Sequence, residues 1–202
     1  MKHLRLLLPL LVLFVALEGA PVAATASGSL PPTNAEPSFG APLTKQMRQL
    51  VAAIAANSNS LGVNVFFSRA AYLQMKTGAI PYPSNDYTNR LLYFFELDLR
   101  AYHSALFTHA TTTLLRVEAN PRDASWIPAG ACENKIGYWH VSGVRLELRR
   151  NNAVVSVAVD SLISWRGVWY VVHLGPNPRS VNTGVVDGFE AGPGTPGPPG
   201  GC

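Results

Sequence analysis

Apolar residues recur at helical spacing near the start of the predicted domain. The intervals are three and four residues, and the positions are Met47, Leu50, Val51 and Ile54. Thr44 precedes them as a plausible N-cap. This spacing predicts a first amphipathic helix that ends before the polar run 57–60.

A second apolar stripe begins after Asp86-Tyr87-Thr88, which can open a helix. Its members again repeat every three or four residues: Leu91, Leu92, Phe95, Leu97, Leu99, Tyr102 and Leu106. Asp98 and Arg100 are expected to point away from this stripe. Between the two helices, Gly62–Lys76 fits a strand or a helix, while the glycine and prolines of Thr77–Asn85 predict a loop.

The pattern changes to alternation in the second half. Thr111–Val117 is rich in β-branched residues and is expected to be a strand. Val144–Leu148 and Val155–Val159 alternate on either side of the turn residues Asn151-Asn152, which predicts a hairpin. Arg166-Gly167 supplies a second turn. Two helices followed by an antiparallel meander predict an α+β single domain, with N-terminal helices packed on a curved C-terminal sheet.

The ends of the chain have a different composition. Residues 1–26 combine Lys2 and Arg5, an apolar run too short to span a membrane, and an Ala24-Thr25-Ala26 cleavage site. They predict a cleaved signal peptide and a secreted or cell-envelope location, the alternative being an uncleaved anchor. Residues 27–42 predict a flexible Pro-rich leader, 43–182 the α+β domain, and 183–202 a disordered Gly/Pro-rich tail.

Charge argues against nucleic-acid binding. Without Lys2, Arg5 and Glu18, the 16 basic and 12 acidic residues become 14 and 11, a net charge of +3. Only Arg149-Arg150 of the basic residues are adjacent after residue 26, so no basic stripe forms. No stable membrane span is expected once the signal peptide is removed.

The segment Ser164–Leu174, with its glycine-containing turn followed by Trp169 and alternating apolar residues, resembles the last strand of the nuclear transport factor 2-like cone fold. Cys132–Leu174 also resembles uncharacterised exported proteins of actinobacteria, mycobacteria included. The resemblance implies a cone-like geometry and no particular catalytic residue, because that superfold includes enzymes, carriers and adaptors.

Such a cone has an internal pocket, and three residues are weak catalytic candidates for it. His140, Asp160 and His173 can supply a His/Asp acid-base pair if they face the concave side of the sheet. A one-residue change of register would place them on the outer surface instead. The alternative for each histidine is an amphipathic residue with a satisfied hydrogen bond. Ser161 lacks a G-x-S-x-G context, which argues against a serine hydrolase.

Aromatic residues and cysteines complete the candidates. Trp139, Trp165, Trp169 and Tyr170 are ligand-pocket candidates, although buried tryptophans more often belong to the core. Cys132 and Cys202 are the only cysteines, and export makes a disulfide between them plausible; free thiols or an intermolecular link through Cys202 are the alternatives. No metal-ligand spacing is present, and neither a metal nor a cofactor is expected.

These observations favour an exported soluble protein that binds an apolar small molecule or an envelope protein, without catalysis of its own. One alternative is a small-molecule isomerase or hydrolase that uses the His/Asp pair. A second is an oligomerising structural module, such as a homodimer formed through an open sheet face.

Overall fold

The computed structural model describes residues 32–179 and 182–199. The predicted signal peptide and Cys202 lie outside these ranges. The helices are α1 (Ala41–Ala55), α2 (Asn59–Gly62), α3 (Arg69–Lys76), α4 (Pro83–Asp86) and α5 (Tyr93–Leu106), with a π-helical segment, Tyr87–Leu92, between the last two. The strands are β1 (Thr112–Glu118), β2 (Ser125–Ile127), β3 (Tyr138–Arg150), β4 (Ala153–Trp165), β5 (Val168–His173) and β6 (Glu190–Ala191).

The first predicted helix is confirmed as α1, although it begins before Thr44. Gly40 occupies the N-cap position, and Pro42 lies in the first turn, where its missing N–H costs no hydrogen bond. Met47, Leu50 and Ile54 are among the residues buried along its inner face. The helical spacing therefore located the buried face correctly, while the proline extended the helix toward the N-terminus.

The segment whose type the sequence left open contains both alternatives. Residues 65–67 run beside β5, where Phe67 N donates to Val171 O (2.8 Å) and Val171 N donates to Val65 O (3.0 Å). Helix α3 then begins after Ser68, whose Oγ accepts a hydrogen bond from Ala71 N at 3.3 Å. This short helix is thereby set against the edge of the sheet.

The second predicted helix is confirmed over the π-helical segment and α5. The loop prediction for Thr77–Asn85 was wrong at its end, because α4 begins at Pro83, whose fixed φ suits the first turn of a helix. The prediction for Asp98 was also wrong. Its side chain is 1% exposed. Asp98 faces the segment that follows β5, where its oxygens accept hydrogen bonds from Arg179, Gly175 N and Val185 N. A polar residue was buried because partners distant in sequence satisfy its charge.

The sheet is antiparallel and has the order β1-β3-β4-β5, with β2 beside β3 and β6 beside β4. The predicted hairpin is confirmed, because Arg150 pairs with Ala153 across its turn. Leu50 of α1, Leu99 of α5 and Val157 of β4 are all 0% exposed, which places the core between these helices and the sheet. The α+β single-domain prediction is thus confirmed. No helix in the described parts of the chain is long and apolar enough to span a membrane.

The described parts of the predicted leader and tail make hydrogen bonds to the sheet. Trp139 Nε1 donates to Asn34 O at 2.9 Å, and Trp169 Nε1 donates to Pro37 O at 3.2 Å. In the tail, Gly197 N donates to Gly143 O at 3.1 Å. A Cβ at Gly143 would lie 2.3 Å from Gly197 O, so this approach requires glycine. Long-range hydrogen bonds hold these segments without a repeating apolar pattern.

Candidate functional site

A cavity of about 280 Å³ lies between α3, the π-helical segment and the ends of β3, β4 and β5. The residues that line it come from these elements and from the loops beside them: Phe67, Tyr72, Met75, Lys76, Arg90, Leu91, Cys132, Asn134, Tyr138, His140, Ser161, Ile163, Val172, His173, Asn177 and Pro178. The cavity is therefore assembled from five separate stretches of the chain.

The sheet wall of the cavity follows from strand register. His140 is opposite Ile163, and Ser161 is opposite His173. Cross-strand partners share a face, as do residues two apart on one strand, so these four residues lie together. A register shift after Ser161 also allows both Val172 and its neighbour His173 to line the cavity, which regular alternation would prevent.

The helical wall follows from helix spacing. Tyr72, Met75 and Lys76 are three and four residues apart on α3 and therefore share one face of the helix. Arg90 and Leu91 are contributed by the π-helical segment, a local geometry that often occurs at functional sites. The wall combines apolar side chains with two cations.

One of these cations is paired with a carboxylate. Arg90 donates to Asp86 through Nε and Nη2, each at 2.6 Å, and the Tyr72 hydroxyl donates to Asp86 Oδ2. The hydrogen bond from Arg90 is the main reason that the pKa of Asp86 is lowered. Burial, followed by the hydrogen bond to Asp86, raises the pKa of Tyr72. Asp86 is thus an ionised anchor behind the cavity wall, and Tyr72 stays protonated.

The second cation is Lys76. Its Nζ donates to Cys132 O at 2.8 Å. Burial lowers the pKa of this ammonium, and Glu133 partly opposes that effect. Within residues 32–179 and 182–199, Lys76 takes part in no salt bridge. The cavity therefore contains a partly desolvated positive charge that no carboxylate of the described residues contacts directly.

His173 is a neutral polar group in this wall. Burial lowers its pKa to about 3, and the charges of Arg90, Arg179, His140 and Lys76 act in the same direction. A protonated ring would add a further charge to an already positive environment. His173 consequently remains an uncharged hydrogen-bonding group at neutral pH.

Asp160, the third catalytic candidate, does not line the cavity. Its carboxylate accepts hydrogen bonds from Ser161 Oγ (2.7 Å) and Asn177 N (3.4 Å). Burial raises the pKa of Asp160 to about 6. The structure thus places His140 and His173 together in the cavity lining. Asp160 is outside that lining and is hydrogen-bonded to Ser161.

The four aromatic candidates lie elsewhere. Trp169 is buried against Phe39, with ring centroids 5.1 Å apart, and Tyr170 packs against Phe67. Trp139 contacts Trp126 edge to face. Trp165 lines a second cavity of about 150 Å³. None of the four is among the residues that line the cavity between α3 and the sheet.

Sequence reasoning missed the cationic part of the site. Lys76 and Tyr72 belong to Gly62–Lys76, for which neither helix nor strand was chosen, so their shared face was not recognised. Once a helix is assumed, their four-residue separation is the signal that places them together. Arg90 falls within the second predicted helix but was not singled out as a candidate.

Two chemical expectations and the comparisons with known proteins complete the description. Cys132 lines the cavity, but Cys202 lies outside the described residues, so their disulfide stays a prediction. The described ranges contain no cluster of three or more His, Cys, Asp or Glu residues that could hold a metal ion. No protein-family model, curated protein or solved structure matches this chain.

Proposed function

We propose that this protein is an exported small-molecule-binding protein whose ligand occupies the cavity between α3 and the sheet. The single observation that carries the proposal is the cavity itself. It lies between helical and sheet walls, and its volume of about 280 Å³ suits a compact organic ligand.

The lining supports a ligand with an apolar body and one polar end. Met75, Leu91, Ile163 and Val172 supply apolar surface. Lys76, Arg90 and His173 supply a few polar groups that can orient the ligand. This combination of apolar surface with a few convergent polar groups is typical of small-molecule sites.

Binding is favoured over acid-base catalysis because the predicted catalytic pair is incomplete. Asp160 is hydrogen-bonded to Ser161 and does not line the cavity. The pKa of His173, about 3, makes its ring a weak general base at neutral pH. The residues that line the cavity are therefore better suited to holding a ligand than to moving its protons.

The proposal is tested by filling the cavity. We expect 1-hexanol to bind the protein with a dissociation constant on the order of 1 mM, measured by NMR titration. Ile163→Trp should abolish this binding, because the indole occupies the ligand volume. Ile136→Trp, which changes the wall of the second cavity in the same way, should bind 1-hexanol like the unchanged protein. Equal binding by both variants, or no binding by the unchanged protein, would overturn the proposal.

A further inference from the structure

We propose that the ligand is an organic monoanion, such as a small carboxylate with an apolar tail, and that Lys76 and Arg90 bind its charged end. This inference rests on the proposed binding function and specifies the chemical class of the ligand.

The first step is the sign of the charge. Among the described residues that line the cavity, Lys76 and Arg90 are cations and none is a carboxylate. An ammonium group has three donors, and Lys76 uses one of them on Cys132 O. The remaining donors can bind a carboxylate through charge-assisted hydrogen bonds, which are shorter and stronger than neutral ones.

The second step is the amount of charge. Asp86 already neutralises Arg90 through two hydrogen bonds of 2.6 Å. These bonds use Nε and Nη2, and Nη1 makes no hydrogen bond in the described part of the chain. Arg90 can therefore donate to a ligand without adding an uncompensated charge. Among the described residues that line the cavity, Lys76 is thus the cation that forms no salt bridge, which suits a monoanion better than a dianion.

The third step is the position of the apolar part. Lys76 and Met75 are adjacent on α3, and Ile163 and Val172 form apolar parts of the sheet wall. A ligand whose anionic end contacts Lys76 can thus place its tail against apolar side chains. His173, uncharged in the same wall, adds a hydrogen-bonding group without adding charge.

The test compares two ligands that differ in charge. Hexanoate and 1-hexanol have the same number of carbon atoms, so their affinities for the full chain at pH 7 isolate the contribution of the carboxylate. We expect hexanoate to bind roughly tenfold more tightly than 1-hexanol. Hexyl phosphate, which carries more charge, should bind more weakly than hexanoate.

A set of lysine variants assigns the effect to one residue. Lys76→Met should remove the preference for hexanoate over 1-hexanol, and Lys76→Arg should retain part of the preference. Lys45→Met changes an exposed lysine on α1 by the same charge and should have no effect. Thermal unfolding of each variant establishes that it is folded.

The outcomes separate the two proposals. Equal affinity for hexanoate and 1-hexanol, or a preference that survives Lys76→Met in a folded protein, would overturn the assignment of a monoanion to Lys76 and leave the binding function intact. Absence of binding by both ligands would overturn the binding function as well.

Discussion

Two charged regions of this protein contrast in how their charges are compensated. Asp98 and Arg179 are 1% and 5% exposed, and they form a bidentate pair at 2.7 and 2.5 Å. The Asp98 oxygens also accept hydrogen bonds from Gly175 N and Val185 N, each at 3.0 Å. Lys76, in the cavity wall, has a carbonyl oxygen as its hydrogen-bond acceptor.

The contrast shows how this fold compensates a buried charge that has a structural role: an opposite charge and backbone donors contact it. At Asp98, two backbone donors and one guanidinium fix the segment after β5 against α5. In the cavity, no carboxylate of the described residues contacts the positive charge of Lys76, and functional sites commonly carry such a cost in stability. The first region is therefore structural, and the second is the one that we propose binds a ligand.

The largest effect should come from removing the buried carboxylate. Asp98→Ala leaves Arg179 buried without its partner and two backbone N–H groups without an acceptor. We expect a loss of about 3–5 kcal/mol in the free energy of unfolding, measured with urea. Glu96→Ala, on the same helix, should change it by less than about 1 kcal/mol. Equal effects of the two variants would contradict a structural role for Asp98.

The next largest effect should come from Asp86, whose carboxylate binds Arg90 and Tyr72 behind the cavity wall. Tyr72→Phe removes a hydroxyl that donates to Asp86, and we expect a loss of about 1–2 kcal/mol in unfolding free energy. Tyr93→Phe, at an exposed position on α5, is the matched control and should be close to neutral. If Tyr72→Phe were as stable as this control, the Tyr72–Asp86 contact would not contribute to stability.

A smaller change in stability is expected at Lys76. Lys76→Met removes one hydrogen bond and also the cost of a partly desolvated charge, so the two contributions oppose each other. The unfolding free energy should change by less than about 1 kcal/mol. A loss as large as that of Asp98→Ala would show that Lys76 is a structural residue like Asp98, and the contrast between the two regions would fail.

The smallest effects concern the protonation of buried groups, beginning with the titration of the His173 ring. The pKa of His173 is lowered to about 3, so its ring should stay neutral from pH 7 to pH 4 in an NMR titration, while the urea-unfolded chain titrates near the ordinary value of about 6.5. The fold favours the neutral ring, so its contribution to stability is present above pH 6.5 and is lost as the pH falls toward 3. Lys76→Met should raise the pKa of His173, because one of the positive charges near it is removed. A ring that becomes protonated near pH 6 in the folded protein would contradict this environment.

Asp160 should give the free energy of unfolding a pH dependence opposite to that from His173, over an overlapping pH range. Its pKa is raised to about 6, so the fold favours the protonated carboxyl, and this contribution is lost as the pH rises through 6. Asp160→Asn should therefore remove a decline in stability between pH 4 and pH 6, measured by urea unfolding at each pH. An unchanged pH profile would contradict the burial of this carboxyl.

The sequence predicted the parts of the fold that follow from local pattern. The alternation in Val144–Leu148 and Val155–Val159 predicted the hairpin, and helical spacing predicted α1 and α5. Asp98 was misplaced because Arg179, its partner, lies 81 residues away and belongs to no local period. The hydrogen bond between Gly197 and Gly143 could not be predicted, because the composition of the tail gives no sign of it.

The site was predicted only in part, for a related reason. Strand alternation identified His140 and His173 as candidates, and strand register then brought them to one cavity. The cations on the facing wall depend on how α3 and the π-helical segment pack against the sheet. That packing is a long-range property, and residue spacing alone does not specify it.

The most direct test of the account is to locate bound hexanoate by NMR. Titration of methyl-labelled protein should shift the signals of Met75, Leu91, Ile163 and Val172, which line the cavity, together with the ring signals of His173. The methyl signal of Ile136, in the second cavity, should remain unchanged. Shifts confined to Ile136, or no shifts of the residues that line the cavity between α3 and the sheet at saturating hexanoate, would contradict the claim that this cavity is the binding site.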